Sequence, residues 1–280
     1  MRYLFLNLKR FDIPTEYGGV NRLAAPKDWG REIVAQTQEG LRTYKDAVFA
    51  DFFPEAHLIP AGEALAADSP IQIGCQGVFR EDTAPGGNFG AFTTNRPANA
   101  AKALGCTWTI IGHCEERNDK AGILAEAGVS DPAAVDRLLN KEVKAAVAAG
   151  LKVLFCIGEK SEEQPQWEQV LGRQLDLGLA GVDHSRIVIG YEPVWSIGPG
   201  KTPADKPYIE KIARFVKAHT DGIPVVYGGG LKTDNAAMLA SIPEIDGGLI
   251  ALTRFSGEIG FYPEEYLDII RIYLTEAEKS

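Results

Sequence analysis

Eight short apolar runs alternate with stretches of helical periodicity along a chain of 280 residues. The runs are Tyr3–Leu8, Ala47–Asp51, Ile71–Gln76, Thr107–Ile111, Lys152–Cys156, Ile187–Tyr191, Pro224–Tyr227 and Gly248–Leu252. Each is rich in β-branched, aliphatic or aromatic residues and reads as a buried strand. Helical patterns lie between most of them, at Trp29–Thr43, Pro132–Ala149, Pro165–Leu179, Ala204–His219 and Thr233–Ala240, and Pro263–Leu274 follows the last run. Strands that alternate with helices imply a parallel sheet. Eight such units without a domain-sized linker predict one closed (β/α)8 barrel over residues 1–280, an α/β fold. The competing architecture is an open doubly wound sheet, which often has a Gly-rich turn after its first strand. Here the first strand runs into Lys9-Arg10-Phe11 instead, which favours the barrel.

Length alone would allow two domains, but α/β barrels reach this size as one unit. The formal charge of −9 argues against nucleic acid or an acidic membrane surface as a partner. It leaves room for an anionic substrate in a locally positive pocket. The cysteines are Cys75, Cys106, Cys114 and Cys156; they have no metal-ligand spacing and suggest reduced thiols in a cytoplasm. The apolar start, Met1 to Lys9, is too short for a signal peptide. No run is long enough to span a membrane.

Chemistry-bearing residues fall where strands end. Glu192 follows the sixth strand and precedes a Gly/Pro segment, Pro193-Val194-Trp195-Ser196-Ile197-Gly198-Pro199-Gly200-Lys201-Thr202. A carboxylate under a loop that can close and expel water has what a catalytic base needs. Prolines stiffen that segment and glycines free its ends, which suits a rigid lid on hinges. A salt-bridged strand-end Glu is the plainer alternative, but a surface turn has no need of Trp195 and Ile197. His113 ends the fourth strand in Ile110-Ile111-Gly112-His113-Cys114-Glu115-Glu116-Arg117. A neutral imidazole there can polarise a carbonyl oxygen. Lys9, at the top of the first strand in Asn7-Leu8-Lys9, can balance negative charge. Alone it would read as a solvated lysine. Gly198 and the run Gly228-Gly229-Gly230 can offer backbone N–H groups to an anion, and loops after strands seven and eight are a common phosphate site in barrels. Two long loops, 10–28 and 79–95, follow strand ends on that same face.

Together these segments resemble the triosephosphate isomerase family, over essentially the whole chain. The resemblance implies a TIM barrel that works without metal or organic cofactor and pairs into a homodimer. It implies an aldose–ketose isomerase of glycolysis and gluconeogenesis that acts on small phosphorylated sugars. Glu192 would be the base, with His113 and Lys9 stabilising enediolate oxygens. Asn7, Lys9, Gly198, Gly230, Ala251 and Leu252 would bind substrate. Pro193, Val194, Trp195, Ile197, Gly198, Lys201 and Thr202 would belong to the lid. Thr93, in Gly90-Ala91-Phe92-Thr93, would brace the neighbouring subunit's lysine and histidine, and Ile197 and Leu249 would clamp the base in apolar surroundings. Cys156-Ile157-Gly158-Glu159 would support lid and base.

The chain also departs from the family pattern. Cys114 stands for the usual serine and Gly230 for another. Ala251 and Leu252 replace two glycines that let backbone approach the phosphate at a helix N-terminus, with Arg254 nearby as a possible charged donor. A glutamate–arginine pair is replaced by Asn95 and Glu116, and loop 10–28 is unusually long. These changes motivate two alternatives. One is the same chemistry on a four-carbon ketose phosphate of polyol catabolism; the other is a sugar-phosphate-binding protein without efficient catalysis. A metal-dependent aldolase or hydrolase is disfavoured for want of a ligand cluster in the sequence.

Overall fold

The protein is described here by a computed structural model covering residues 1–198 and 201–279. Its strands are β1 (Arg2–Asn7), β2 (Ala47–Phe53), β3 (Ile71–Cys75), β4 (Trp108–Ile111), β5 (Lys152–Ile157), β6 (Ile187–Tyr191), β7 (Val225–Tyr227) and β8 (Gly247–Ile250). All pair in parallel and in sequence order, and β1 closes on β8 from Tyr3↔Gly247 to Leu6↔Ile250. The barrel expected from the sequence is therefore the one observed.

Alternation along each strand sorts the core into two shells. Phe5, Phe52, Trp108, Leu154, Val188 and Leu249 point inward and fill the barrel. Their neighbours Leu4, Leu6, Phe49, Val153, Phe155 and Ile189 face outward, beneath the helices. The inner shell is keyed by aromatic contact: the Phe5 and Trp108 rings meet edge-on at 5.0 Å. The Trp108 indole N–H donates to Gln72 Oε1 at 2.7 Å, so its one polar atom is satisfied.

The helices are α1 (Trp29–Leu41), α2 (Leu58–Ala64), α3 (Ala98–Ala103), α4 (Cys114–Glu126), α5 (Pro132–Ala148), α6 (Trp167–Gly178), α7 (Lys206–His219), α8 (Ala236–Ala240) and α9 (Pro263–Ala277). The sequence pattern singles out six of these and passes over α2, α3 and α4. α2 buries only Leu58 and Ala61, and α3 only Ala98 and Ala101, too little for an apolar stripe. α4 buries none of its residues, so it has no apolar stripe to read. It forms because His113 caps it, with Nδ1 accepting the Glu115 N–H, and because Glu115 and Glu116 lie in its first turn. No helix among the described residues is long and apolar enough to cross a membrane.

Strand ends also differ in ways that matter for the site. β8 stops at Ile250, so Ala251 and Leu252 are loop and not strand as the apolar run suggests. The next helix among the described residues is α9, so the helix N-terminus expected just after Ala251 and Leu252 is absent there. Instead 251–262 folds back on itself through an Arg254↔Gly260 bridge. Loop 10–28 reaches this turn: Arg22 donates to the Ile259 carbonyl at 2.9 Å. Its inner end is fastened by Asp12, which accepts both Arg10 nitrogens at 2.9 Å and lies 3.2 Å from His57 Nε2.

Asp51 is the anomaly of the outer shell. It is fully buried, and neither carboxylate oxygen has a hydrogen-bond partner among the described residues. The buried hydroxyl of Tyr266 on α9 is likewise unpartnered. Burial alone raises the Asp51 carboxyl from its ordinary 3.8 to about 8. The native state then holds a proton that the unfolded chain has released, so stability is greatest below pH 4 for this group and falls as pH rises from about 4 to about 8. Asp51→Asn keeps the shape and removes the titration. Scanning calorimetry from pH 5 to pH 9 is expected to show the variant more stable at pH 8, by more than about 1 kcal/mol, with the gap closing toward pH 5. Parallel curves would show that Asp51 is charged in the fold.

Candidate active site

The C-terminal ends of the strands share one rim, and there the fold gathers residues far apart in sequence. Glu192 follows β6 and is only 2% exposed. One oxygen, Oε1, lies 3.0 Å from His113 Nε2, and Oε2 accepts the Cys114 backbone N–H at 2.9 Å. His113 Nδ1 accepts the Glu115 N–H at 3.3 Å, so in the neutral ring the proton belongs on Nε2, the nitrogen nearer Glu192. Burial raises the Glu192 carboxyl above the ordinary glutamate value, against the opposing pull of His113 and the Cys114 N–H.

Two glycines make this seat possible. A Cβ on Gly158 would fall 1.9 Å from the Glu192 carbonyl oxygen, and one on Gly228 would fall 2.8 Å from Glu192 Cγ. The β5, β6 and β7 ends can thus converge on the base only with bare backbone on either side.

Lys9 sits just past β1 in the left-handed backbone region, at φ 42°. Such a conformation costs a non-glycine residue on the order of 1 kcal/mol, and the surroundings enforce it. Its N–H donates to Asn7 Oδ1 at 3.1 Å, and Gln76 Nε2 donates to its carbonyl at 3.0 Å. Lys9 Nζ bonds Glu115 Oε1 at 2.7 Å. A cavity of about 470 Å³ opens between Asn7, Lys9, His113 and Glu115. Asn7, expected to bind substrate, lines that cavity and is buried.

The segment expected to form a lid begins in a 3-10 turn, Val194–Ser196. The Trp195 indole N–H donates to Glu159 Oε1 at 2.8 Å, where the Tyr191 and Tyr208 hydroxyls also donate, each at 2.9 Å. One carboxylate oxygen of Glu159, in the segment expected to support lid and base, thus ties Trp195 to β6 and α7. Ile197 is half-buried, Leu249 is buried in the inner shell, and Gly198, Lys201 and Thr202 are exposed. Pro199 and Gly200 lie outside the described residues. Thr93 is not at the site of its own chain: it is exposed in loop 79–95.

Several working residues escape sequence reasoning. Glu115 holds Lys9 and supplies the N–H on His113, yet its position in a helix's first turn has a sufficient local explanation. Gln76 carries no motif at all. Glu116, known from the sequence only as a departure, turns out to accept the Gly112 N–H at 2.6 Å and the Lys120 ammonium at 2.8 Å. Lys120 also reaches Glu142 Oε1 at 3.0 Å. Burial and the adjacent Glu116 charge push the Glu142 carboxyl up, while the Lys120 ammonium and the Gly112 N–H hold Glu116 down. Gly112 immediately precedes His113, and Arg117 Nε donates to its carbonyl at 2.8 Å. The peptide that carries the histidine is therefore gripped at both ends.

Among the described residues the fold gathers one set of possible metal-ligating atoms that spacing does not reveal: His113, Cys114 and Glu192 offer atoms within 4.8 Å of one another. The set suits a metal poorly. Burial, with the Glu192 charge next to it, pushes the Cys114 thiol up to about 12, and Glu192 Oε2 is already taken by the Cys114 N–H. Arg254 is not the spare phosphate ligand the sequence allows. Its guanidinium is bonded to Glu265, with Nε at 2.8 Å, and stacks 3.6 Å from the centre of the Tyr262 ring.

Comparison with known proteins agrees with this arrangement. The sequence model of the triosephosphate isomerase family matches residues 27–271. Similar proteins include a triosephosphate isomerase of Geobacter metallireducens, 34% identical over 80% of this chain and 85% of the relative. Another, from Chlorobium phaeovibrioides, is 40% identical over 60% of this chain and 67% of its own length. Among solved structures, the triosephosphate isomerase of Bartonella henselae superposes with a TM-score of 0.73, covering 98% of this chain and 99% of its own, at 23% identity. The chain belongs to the triosephosphate isomerase family and is an isomerase.

Proposed function

We propose that the chain, as one barrel domain over residues 1–280, interconverts dihydroxyacetone phosphate and glyceraldehyde 3-phosphate through an enediolate, with Glu192 as base. The observation that carries the proposal is a buried carboxylate, Glu192, with one oxygen 3.0 Å from Nε2 of His113, a residue that lines one cavity with Lys9 at the mouth of the barrel. With substrate in the cavity, Glu192 leaves the Cys114 N–H and takes a proton from the carbon next to the carbonyl. Its raised affinity for a proton suits that task. The freed His113 Nε2–H and the Lys9 ammonium then face the oxygens on which charge develops. Glu192 returns the proton to the neighbouring carbon while the hydroxyl proton passes from one enediol oxygen to the other by way of the His113 imidazole, so the carbonyl moves by one carbon. Closure of 193–202 excludes water and holds the phosphate with the Gly198 and Gly230 N–H groups and those of Ala251 and Leu252.

The working form in this reading is a homodimer in the cytoplasm, serving glycolysis and gluconeogenesis. Loop 79–95 supports the dimer: Phe89 is 89% exposed at its tip, an apolar side chain suited to burial against a second copy. Thr93 would then complete the partner's site. A second reading keeps the chemistry and changes the substrate to a four-carbon ketose phosphate. It is favoured by the remodelled rim, where Leu252 replaces a glycine and loop 10–28 is fastened to the turn after β8.

Turnover of glyceraldehyde 3-phosphate decides between them. The first reading expects efficient kcat/KM, lowered by about 10²–10⁴-fold in Glu192→Gln. Poor turnover of the triose with good turnover of a tetrulose phosphate would move the assignment to the second reading, and no turnover of either would reject both. The activity of the free enzyme is also expected to fall as pH drops through a value above that of an ordinary glutamate, because protonated Glu192 cannot act as base. Glu116→Ala should lower kcat on the order of 10-fold with little change in KM, since it loosens the Gly112 peptide and with it His113. Glu116→Gln, which keeps an acceptor for that N–H, should recover most of the loss.

A further inference from the structure

The phosphate seat of this chain lacks two of its family's glycines and one serine, and its own loops contain a substitute. The loops after β7 and β8 meet above the barrel. Gly229, Gly230, Ala251 and Leu252 have backbone N–H groups that find no acceptor among the described residues. The β7 loop is held in shape by Asn235, which accepts the Lys232 N–H at 2.8 Å and donates to the Gly230 carbonyl at 2.9 Å. Lys232 rises out of that turn. Its Cε lies 3.5 Å from where a Cβ on Gly230 would stand, so the lysine stem fills the space that a side chain at 230 would take. Its ammonium rests 4.2 Å from the centre of the Phe255 ring, on the β8 loop. Among the described residues it makes no ion pair, whereas Arg254 in the same loop is tied to Glu265.

We propose that Lys232 is a phosphate-binding residue of this enzyme and supplies the charge that the altered seat needs. The inference rests on the reading of Gly230, Ala251 and Leu252 as that seat. A lysine parked on an aromatic face keeps its positive charge without a competing carboxylate, and the cation–π contact is weak enough to give up for a phosphate dianion. An ammonium on a long flexible stem also suits a point-charge contact with phosphate, and it asks less of backbone geometry than two consecutive glycines do. Phe255 is half exposed and so leaves the ammonium open to solvent and ligand.

The test uses inorganic phosphate as the probe, as a competitive inhibitor and by calorimetry, on the full-length protein. Lys232→Met is expected to weaken phosphate about 10-fold, a change of about 1.4 kcal/mol. KM for glyceraldehyde 3-phosphate should rise by a similar factor, with kcat within about 3-fold, as expected for lost uniform binding. Lys232→Arg should restore most of the affinity. Wild-type affinity should also fall more steeply with salt than that of the Met variant, which a merely structural role would not produce. If the Met variant is poorly folded, Lys232→Gln is measured in its place. Phosphate affinity unchanged in the neutral variant overturns the proposal, whatever the turnover. A wild-type protein that binds phosphate through Lys232 yet turns over no sugar phosphate would overturn the isomerase reading and leave this one standing.

Discussion

Closure of the sheet is the constraint on which the rest depends. Once β1 pairs with β8, all the strand ends point to one rim, and no edge is left for another chain to pair with. Residues 7, 9, 113 and 192 become neighbours only through this closure. The aromatic inner shell makes it possible: Phe5, Phe52 and Trp108 occupy the volume that a ring of eight strands encloses. The rim can then afford polar, strained and glycine-rich pieces, such as Lys9 at φ 42°, because the layers beneath hold them.

The chemistry of the site follows from one buried carboxylate. Glu192 is costly to keep ionised in apolar surroundings, and the Cys114 N–H on Oε2, the His113 ring 3.0 Å from Oε1 and the charge of Lys9 offset part of that cost. Local structure sets the first two. His113 turns Nε2 toward Glu192 because its other nitrogen caps α4, and the Cys114 N–H is available because it belongs to that helix's first turn. Glu116, Lys120 and Glu142 then hold the peptide on the other side of the histidine.

The two segments that depart most from the family are physically one feature. Loop 10–28 and the turn after β8 are joined through Arg22 and the Ile259 carbonyl, and Arg254 is spent on Glu265 within the second. A rim built this way leaves Lys232 and Phe255 as the bridge between the loops after β7 and β8. The departures at Gly230, Ala251 and Leu252 thus concentrate at the ends of β7 and β8, away from Lys9, His113 and Glu192.

The alternation of apolar runs with helical periods determined the barrel by itself, because hydrophobic spacing is a local property. For the same reason the strand-end positions of Lys9, His113 and Glu192 were legible. Three helices were not: α2 and α3 bury two residues each and α4 buries none, so none of them has an apolar stripe to read. Nor could the sequence tell that Ala251 and Leu252 lie beyond the strand, since an apolar residue reads alike in a strand and in the loop after it. Which side chain meets which was decided only by the tertiary structure: Glu115 on Lys9, Glu116 on the Gly112 peptide, Arg254 on Glu265, Lys232 on Phe255. Such contacts join residues on different strands and loops. Their geometry is set by the closure of the ring, which no window of sequence contains.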